Sequence, residues 1–375
     1  MDAMDPIPLI EPVVGDEELD NVREVLESGW MTEGPFAEEL QEGVSDLTGV
    51  AHATTVTSCT TGLEVALDAL GVGPGDEIVL PDFTYPATAN VVVRLGATPV
   101  LVDVKPTTYN IDPERVAEAI TEDTVAIMPV SLFGHPVDPG PIQRLADDHN
   151  LAVVEDAAWS LGSEFDGQAV GSQFDVSVFS FHPRKILTTG EGGAITTDDD
   201  ALMREMRTIK NFGLSHYEDN EGFVRADATN YRMSDILAAV GVAQLQRSDE
   251  IFERRREVAT RYDKLLASVD GIQPPHVDNR AHHTYGSYCA YVDVGDDTVR
   301  DNLIDLMSDR DIETQIGTYA LHRTDAFDEA ERATTLEVSA DLYHNLLTLP
   351  ITHSMTEADQ ERVVNALDEE LERFR

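Results

Sequence analysis

Between about residues 50 and 200 the chain alternates short β-branched and apolar runs with helical stretches. A run at 53–57 leads into a helical pattern beginning near Leu63, with Leu63, Ala66, Leu67 and Leu70 apolar. Further runs lie at 77–80, 98–102, 125–130, 151–154, 176–180 and 193–197. Runs that are apolar throughout, with helices between them, predict a largely parallel sheet covered on both faces. In such sheets ligands bind beyond the carboxyl ends of the strands. The stretch 234–266 is strongly helical, carrying Ile236, Leu237, Val240, Leu245, Ile251, Val258 and Tyr262. It predicts a connection from this large α/β domain to a smaller α+β domain with a strand at 288–292, a helix near 299–308 and a final helix from about Glu357. The expected division is 1–250, including an N-terminal segment 1–30, and 251–375.

Charge changes this picture at the surface. The 375 residues include 71 Asp and Glu against 26 Lys and Arg, a formal net charge of −45 spread along the whole length. With 42% hydrophobic residues in periodic segments, the chain is no disordered acidic tail. An acidic, lysine-poor surface suits concentrated salt, where screening removes most self-repulsion, so the protein is expected to be halophilic. No basic stripe offers counterion release, which excludes nucleic acid and anionic membranes as partners. The two cysteines, Cys59 and Cys289, have neither metal-ligand nor disulfide-framework spacing, and no metal site is expected. Met1 to Pro6 is polar and acidic and no long apolar run occurs, so a soluble, cytoplasmic protein is expected.

Only four lysines occur, and one of them, Lys185, sits in Ser180-Phe181-His182-Pro183-Arg184-Lys185, just before Thr188-Thr189-Gly190-Glu191-Gly192-Gly193. A primary amine forms a Schiff base with an aldehyde such as that of pyridoxal phosphate, and arginine cannot replace it. That cofactor needs an anion cradle, an acid beside its pyridine nitrogen and a wall for its ring. The segment 57–62, Thr-Ser-Cys-Thr-Thr-Gly, offers backbone N–H groups and the hydroxyls of Thr60 and Thr61 at a helix start, a natural phosphate site. Taken alone it reads equally as an ordinary Ser/Thr cap. Asp156, after the run at 151–154, is placed to hold the pyridine nitrogen or simply to end a strand. Tyr85, just past 77–80, is a candidate ring wall, with Phe83 competing for the role.

These segments, in this order and spacing, resemble the DegT-type nucleotide-sugar aminotransferases, pyridoxal phosphate enzymes of fold type I. The similarity runs from Ile7-Pro8-Leu9 and Gly29-Trp30-Met31-Thr32-Glu33-Gly34-Pro35 to Leu347-Thr348-Leu349-Pro350-Ile351, nearly the whole chain. Gly75-Asp76-Glu77, Glu155-Asp156-Ala157-Ala158, Phe179-Ser180-Phe181-His182 and Asn230-Tyr231-Arg232-Met233 carry it between those ends. The resemblance implies that Lys185 carries the cofactor and shuttles the proton, that Asp156 pairs with the pyridine nitrogen, and that Thr60 and Ser180 hold the phosphate. Tyr85 occupies the stacking position. Asn230 would reach the cofactor phosphate of a neighbouring subunit, which implies a homodimer with shared active sites. Met31 and Thr32 fall where the family lines the sugar pocket. His322 falls near the sugar position, although a surface or satisfied histidine fits it equally. Arg184 and His182 either face phosphates or support the lysine loop.

Two positions depart from the family pattern. Trp159 stands where His or Gln is common beside the cofactor's ring hydroxyl, and its indole donates but does not accept a hydrogen bond. Cys59 stands at a phosphate-loop position usually held by Gly. The implied activity moves an amino group, with glutamate as the expected donor, to a keto-sugar linked to a nucleotide. A keto-cyclitol aminotransferase would share every cofactor residue. A keto-deoxysugar dehydratase of the same fold would typically carry His in place of Lys185. A cofactor-binding regulator is the least supported, since no helix-turn-helix or basic patch is present. The acidic surface carries its own test: thermal unfolding midpoints should fall on transfer from molar to millimolar potassium chloride, and equal midpoints would remove the halophilic expectation.

Overall fold

Continuous apolar runs do become central strands in the computed structural model of the chain, which describes residues 5–217, 221–295, 297–328 and 330–375. Of the acidic N-terminal stretch, Met1 to Met4 lie outside the described residues. An eight-stranded sheet runs in the order His52–Val56, Gly193–Thr197, Val176–Ser180, Ala152–Asp156, Thr124–Ile127, Glu77–Pro81, Thr98–Val102 and Glu331–Arg332. Gly193–Thr197 is antiparallel to both neighbours, and the other pairings are parallel. His52–Val56 therefore points the same way as Val176–Ser180. As a result the carboxyl ends at Val56, Pro81, Asp156 and Ser180, together with the start of the reversed strand at Gly193, all gather on one edge.

The strand predicted at 125–130 ends at Ile127, where Pro129 follows and cannot donate to a ladder. The helix expected near Leu63 begins at Cys59 instead, so Cys59, Thr60 and Thr61 form its first turn. Its N-cap is Ser58, whose side chain accepts from the Thr61 N–H, and this cap starts the helix before its apolar periodicity does. The helical run 234–266 is two helices, Asp235–Gln246 and Ser248–Leu266, broken at Arg247 with φ −114° and ψ 11°.

Glycine lets the helix Cys59–Ala69 sit close against the sheet. A Cβ on Gly193 would lie 2.7 Å from the Phe179 carbonyl oxygen and 2.8 Å from the Cys59 amide nitrogen. A Cβ on Gly62 would lie 2.6 Å from Val178 Cγ1. No other residue type tolerates that approach without moving backbone or core.

The C-terminal part has its own four-stranded antiparallel sheet: Ile272–Gln273, Tyr288–Val292, Leu346–Leu349 and Gln315–Ile316. The helices Val299–Ser308 and Glu357–Leu371 accompany it. Ile251 and Phe252 of the long helix pack into a core with Leu40, Phe179 and Leu187, whereas Val258, Ala259, Tyr262 and Leu266 pack into the C-terminal core. Ile7 also joins that second core and bridges to Ile312, so the chain's first described residues lie with the C-terminal part. Among the described residues, no helix is long and apolar enough to cross a membrane.

Candidate active site

Asp156 ends its strand at the gathered edge with 5% of its surface exposed. The Thr88 hydroxyl donates to its Oδ2 at 2.8 Å and the Ala158 N–H to its Oδ1 at 3.2 Å, while the Cys59 thiol approaches Oδ1 at 3.9 Å. Burial holds the Cys59 thiol protonated by pushing its pKa well up, so sulfur faces the carboxylate as a weak donor. Burial also pushes Asp156 above the usual carboxylate range, against the bonds from Thr88 and Ala158 and the field of Lys185. Among the described residues Asp156 makes no ion pair. A buried carboxylate of this kind is costly without a cation, and a protonated pyridine nitrogen is a cation of suitable shape.

Lys185 follows the next strand, Val176–Ser180, on a loop closed tightly on itself. The Lys185 N–H donates to the His182 carbonyl at 2.8 Å, and the Thr189 N–H and Thr188 hydroxyl both donate to the Phe181 carbonyl at 3.0 Å. Its Nζ lies 3.1 Å from the centre of the Trp159 ring. Burial pushes the amine down to about 7 against the pull of the Asp156 carboxylate, and Arg184 adds to that lowering. An amine in this range exchanges protons near neutral pH, as an acid–base catalyst must.

The anion cradle is the N-terminus of Cys59–Ala69. Thr61 N–H is taken by Ser58 Oγ at 3.2 Å and Gly62 N–H by the Ser58 carbonyl at 3.0 Å. The Thr61 hydroxyl is engaged within the loop, with Thr57 Oγ1 at 3.1 Å and the Ser58 carbonyl at 2.9 Å. Among the described residues that leaves the Cys59 and Thr60 amides and the Thr60 hydroxyl for an anion. Ser180 is the cross-strand partner of Gly193, whose backbone lies close to the Cys59 amide, and the Ser180 hydroxyl accepts from the His182 N–H at 3.3 Å. Cradle, carboxylate and amine thus lie together in the arrangement pyridoxal phosphate requires, and the residues present fit it.

Around this centre the other predicted residues take distinct places. Tyr85 is 61% exposed past the strand Phe83–Thr84 and meets Tyr319 edge-on with 6.3 Å between ring centres, whereas Phe83 is buried in a core and offers no wall. His322 is held against the same segment: buried Asp82 accepts its backbone N–H at 2.9 Å and lies 2.6 Å from its Nδ1. Met31 and Thr32 are exposed, and their loop is pinned to the helix Asp235–Gln246 by Ser234 and Asp235, which bond the Met31 carbonyl at 3.1 and 3.0 Å. Asn230 is exposed, its side-chain oxygen accepting from Arg232 Nε at 3.1 Å. Met31, Thr32 and Asn230 make no hydrogen bond or ion pair to Lys185 or Asp156 among the described residues. Arg184 reaches the C-terminal sheet, where its Nη1 donates to Gln315 Oε1 at 2.9 Å. A separate cleft of about 470 Å³, lined by Glu164, Phe252, Arg256 and His282 among others, contains none of these residues.

Three supporting residues were not singled out in the sequence. Thr88 and Asp82 hold Asp156 and His322 from distant positions. Lys210, 3% exposed on its side chain, pairs with Glu33 beside Thr32 and donates to the Thr55 carbonyl at 2.8 Å. It therefore ties the Met31–Thr32 loop to the strand that feeds the anion cradle. Its rarity in the chain was the only available hint.

This fold and site define a pyridoxal phosphate-dependent aminotransferase. The model of the DegT/DnrJ/EryC1/StrS aminotransferase family matches residues 12–368, and the chain belongs to that family. It is 38% identical over 374 residues to the GDP-perosamine synthase of Caulobacter vibrioides, covering 99% of this chain and 100% of that protein. Among solved structures it is similar to the aminotransferase TlmJ from Streptoalloteichus hindustanus, with 32% identity, a TM-score of 0.91 and coverage of 98% of this chain and 99% of that one. It also resembles the pyridoxal phosphate form of a sugar aminotransferase, Spr1654, from Streptococcus pneumoniae, at 28% identity and a TM-score of 0.92, over 99% of this chain and 100% of that one.

The amine of Lys185 sets a pH dependence. Its free base is lost as pH falls through about 7, so the first half of the transfer should slow about tenfold per unit below that point. Single-turnover rates with an amino donor between pH 5.5 and 8.5 check this, and a flat profile would contradict it.

Proposed function

We propose that the protein moves an amino group from glutamate to a keto-sugar linked to a nucleotide, in the making of an amino sugar. The observation that carries this reading is the Lys185 amine beside the buried Asp156 carboxylate and the helix cradle. Likeness to GDP-perosamine synthase along the full length supports a nucleotide-linked substrate and makes a GDP-linked keto-sugar the first to assay. When bound, pyridoxal phosphate supplies an aldehyde for the amine and a protonated ring that stores an electron pair.

The chain's own residues do the rest. Lys185 binds the aldehyde and, once displaced by the amino donor, removes a proton from one carbon and returns it to another. Asp156, oriented by Thr88, keeps the ring nitrogen protonated. Thr60 and Ser180 hold the phosphate, with Thr61 fixing the turn that presents them. Tyr85 and Trp159 flank the ring. Met31, Thr32 and His322 line the sugar pocket. Asn230 reaches the cofactor phosphate of a second subunit, and exposed Trp30, Met31, Phe212 and Phe223 supply apolar surface for that homodimer. The division into residues 1–250 and 251–375 puts the lysine and its cradle on the larger part and His322 on the smaller. The acidic surface supports a halophilic protein working in the cytoplasm.

A dehydratase is disfavoured by Lys185 itself, since a lysine able to return the proton completes a transfer. The test is glutamate-dependent amination of a GDP-linked 4-keto-6-deoxy sugar in molar potassium chloride, followed by mass spectrometry. The wild type should yield the amino sugar, and Lys185→Ala should lose at least a thousandfold in rate, since covalent capture and proton transfer both go. Unchanged turnover in that variant would defeat the assignment. Conversion of glutamate without amination of any nucleotide-linked keto-sugar would redirect the substrate to a keto-cyclitol.

A further inference from the structure

The Lys185 amine has an unusual neighbour. Its Nζ sits 3.1 Å from the centre of the Trp159 ring, close enough for the indole face to attract an ammonium ion. The indole is held in place by two segments, at Phe133–Gly134 and at Gly286. Phe133 meets it edge-on at 6.4 Å and 63°, and Phe133 itself takes φ 57°, a left-handed conformation uncommon for an aromatic residue. A Cβ on Gly286 would fall 2.7 Å from the Trp159 carbonyl oxygen and 3.1 Å from its Cε3, so the backbone at 286 comes as near as only glycine allows. A Cβ on Gly134 would in turn meet the Gly286 amide at 2.8 Å.

The groups facing the amine divide by sign. Burial and the neighbouring Arg184 and His182 disfavour an ammonium, whereas the Asp156 carboxylate favours it. The buried Cys59 thiol is kept protonated and supplies no charge. In an amine transfer the lysine takes a proton from one carbon, breaking that C–H bond, and keeps it on Nζ until a C–H bond forms at the second carbon. During that interval Nζ is a buried cation, and it has moved away from the bond it made to the aldehyde.

We propose that Trp159 is a positioning residue whose indole face seats the freed Lys185 ammonium while it carries the proton between the two carbons. This rests on the reading of Lys185 as the cofactor lysine. The departure from His or Gln at this position is then a functional substitution: the indole offers a face that binds a cation. The seat also limits where Nζ can go, keeping it on the Asp156 side of the cavity.

The test uses enzyme grown with 13Cε-lysine and loaded with pyridoxamine phosphate, so that Lys185 is not bonded to the cofactor. Only four lysine signals arise, and Lys185→Ala assigns the one that matters. Trp159→Leu should move the Lys185 titration midpoint down by about 0.5 to 1.5 pH units, and Trp159→Phe, a weaker cation binder, by a smaller amount. Turnover in Trp159→Phe should fall with the KM for the keto-sugar unchanged. A midpoint that stays put or rises in a folded Trp159→Phe overturns the proposal, whether or not Trp159→Leu folds. Failure of the underlying reading looks different: the cofactor would then remain covalently attached in Lys185→Ala.

Discussion

The buried carboxylate of Asp156 is the constraint on which the site depends. A charge at this depth survives only with donors around it and a cation in reach. Thr88, the Ala158 amide and the Cys59 thiol supply the donors, each from a different element. In the proposed reading the cation is the cofactor's ring nitrogen, with the Lys185 ammonium as the alternative when that lysine is free. Asp156 ends the strand Ala152–Asp156 and Lys185 lies on the loop that follows the adjacent parallel strand Val176–Ser180, so the sheet brings the two segments side by side. The sheet thus sets the geometry, and the loops only present the atoms. Directly behind Asp156, fully buried Glu155 is bonded by the Ser131 and Ser177 hydroxyls at 2.5 and 2.7 Å, which anchors the strand end from its other face.

Close packing does the remaining work. The phosphate cradle exists because Gly62 and Gly193 let the helix Cys59–Ala69 press against the reversed strand, bringing its unsatisfied amides to the strand ends. The C-terminal part then closes over the edge. Tyr319–Ala320 pairs with Phe83–Thr84, Gln315 accepts from Arg184, and Asp82 fixes His322. Each of these contacts joins a residue on the large sheet's edge to one in the C-terminal half. Residues far apart in sequence thereby come together beside the strand ends.

Much of this was legible along the chain because strands buried on both faces leave an uninterrupted apolar signal. The strands Thr98–Val102, Val176–Ser180, Gly193–Thr197 and Tyr288–Val292 lie where their β-branched runs stand. Capping chemistry was harder to place: Ser58 begins its helix four residues before Leu63, because a polar first turn carries no hydrophobic period. The break at Arg247 left no trace, being made without Gly or Pro. Within the site only Lys185 stood out by residue type and position, and Asp156 was readable as more than a strand end only beside it. The cradle was recognisable only in their company. Thr88, Asp82 and Lys210 act through partners 68, 240 and 177 positions away, and no local pattern encodes such a contact. Met31, Thr32 and Asn230 came from family resemblance alone, since each is exposed and makes no bond to Lys185 or Asp156 among the described residues.

The central claim is that one lysine of four carries the cofactor. Reduction of the pyridoxal phosphate-loaded protein with borohydride, followed by peptide mapping, tests it directly. One phosphopyridoxyl group per chain on the peptide containing Lys185 is the predicted result. A label on Lys105, Lys210 or Lys264 instead, or none at all with cofactor bound, would contradict the account.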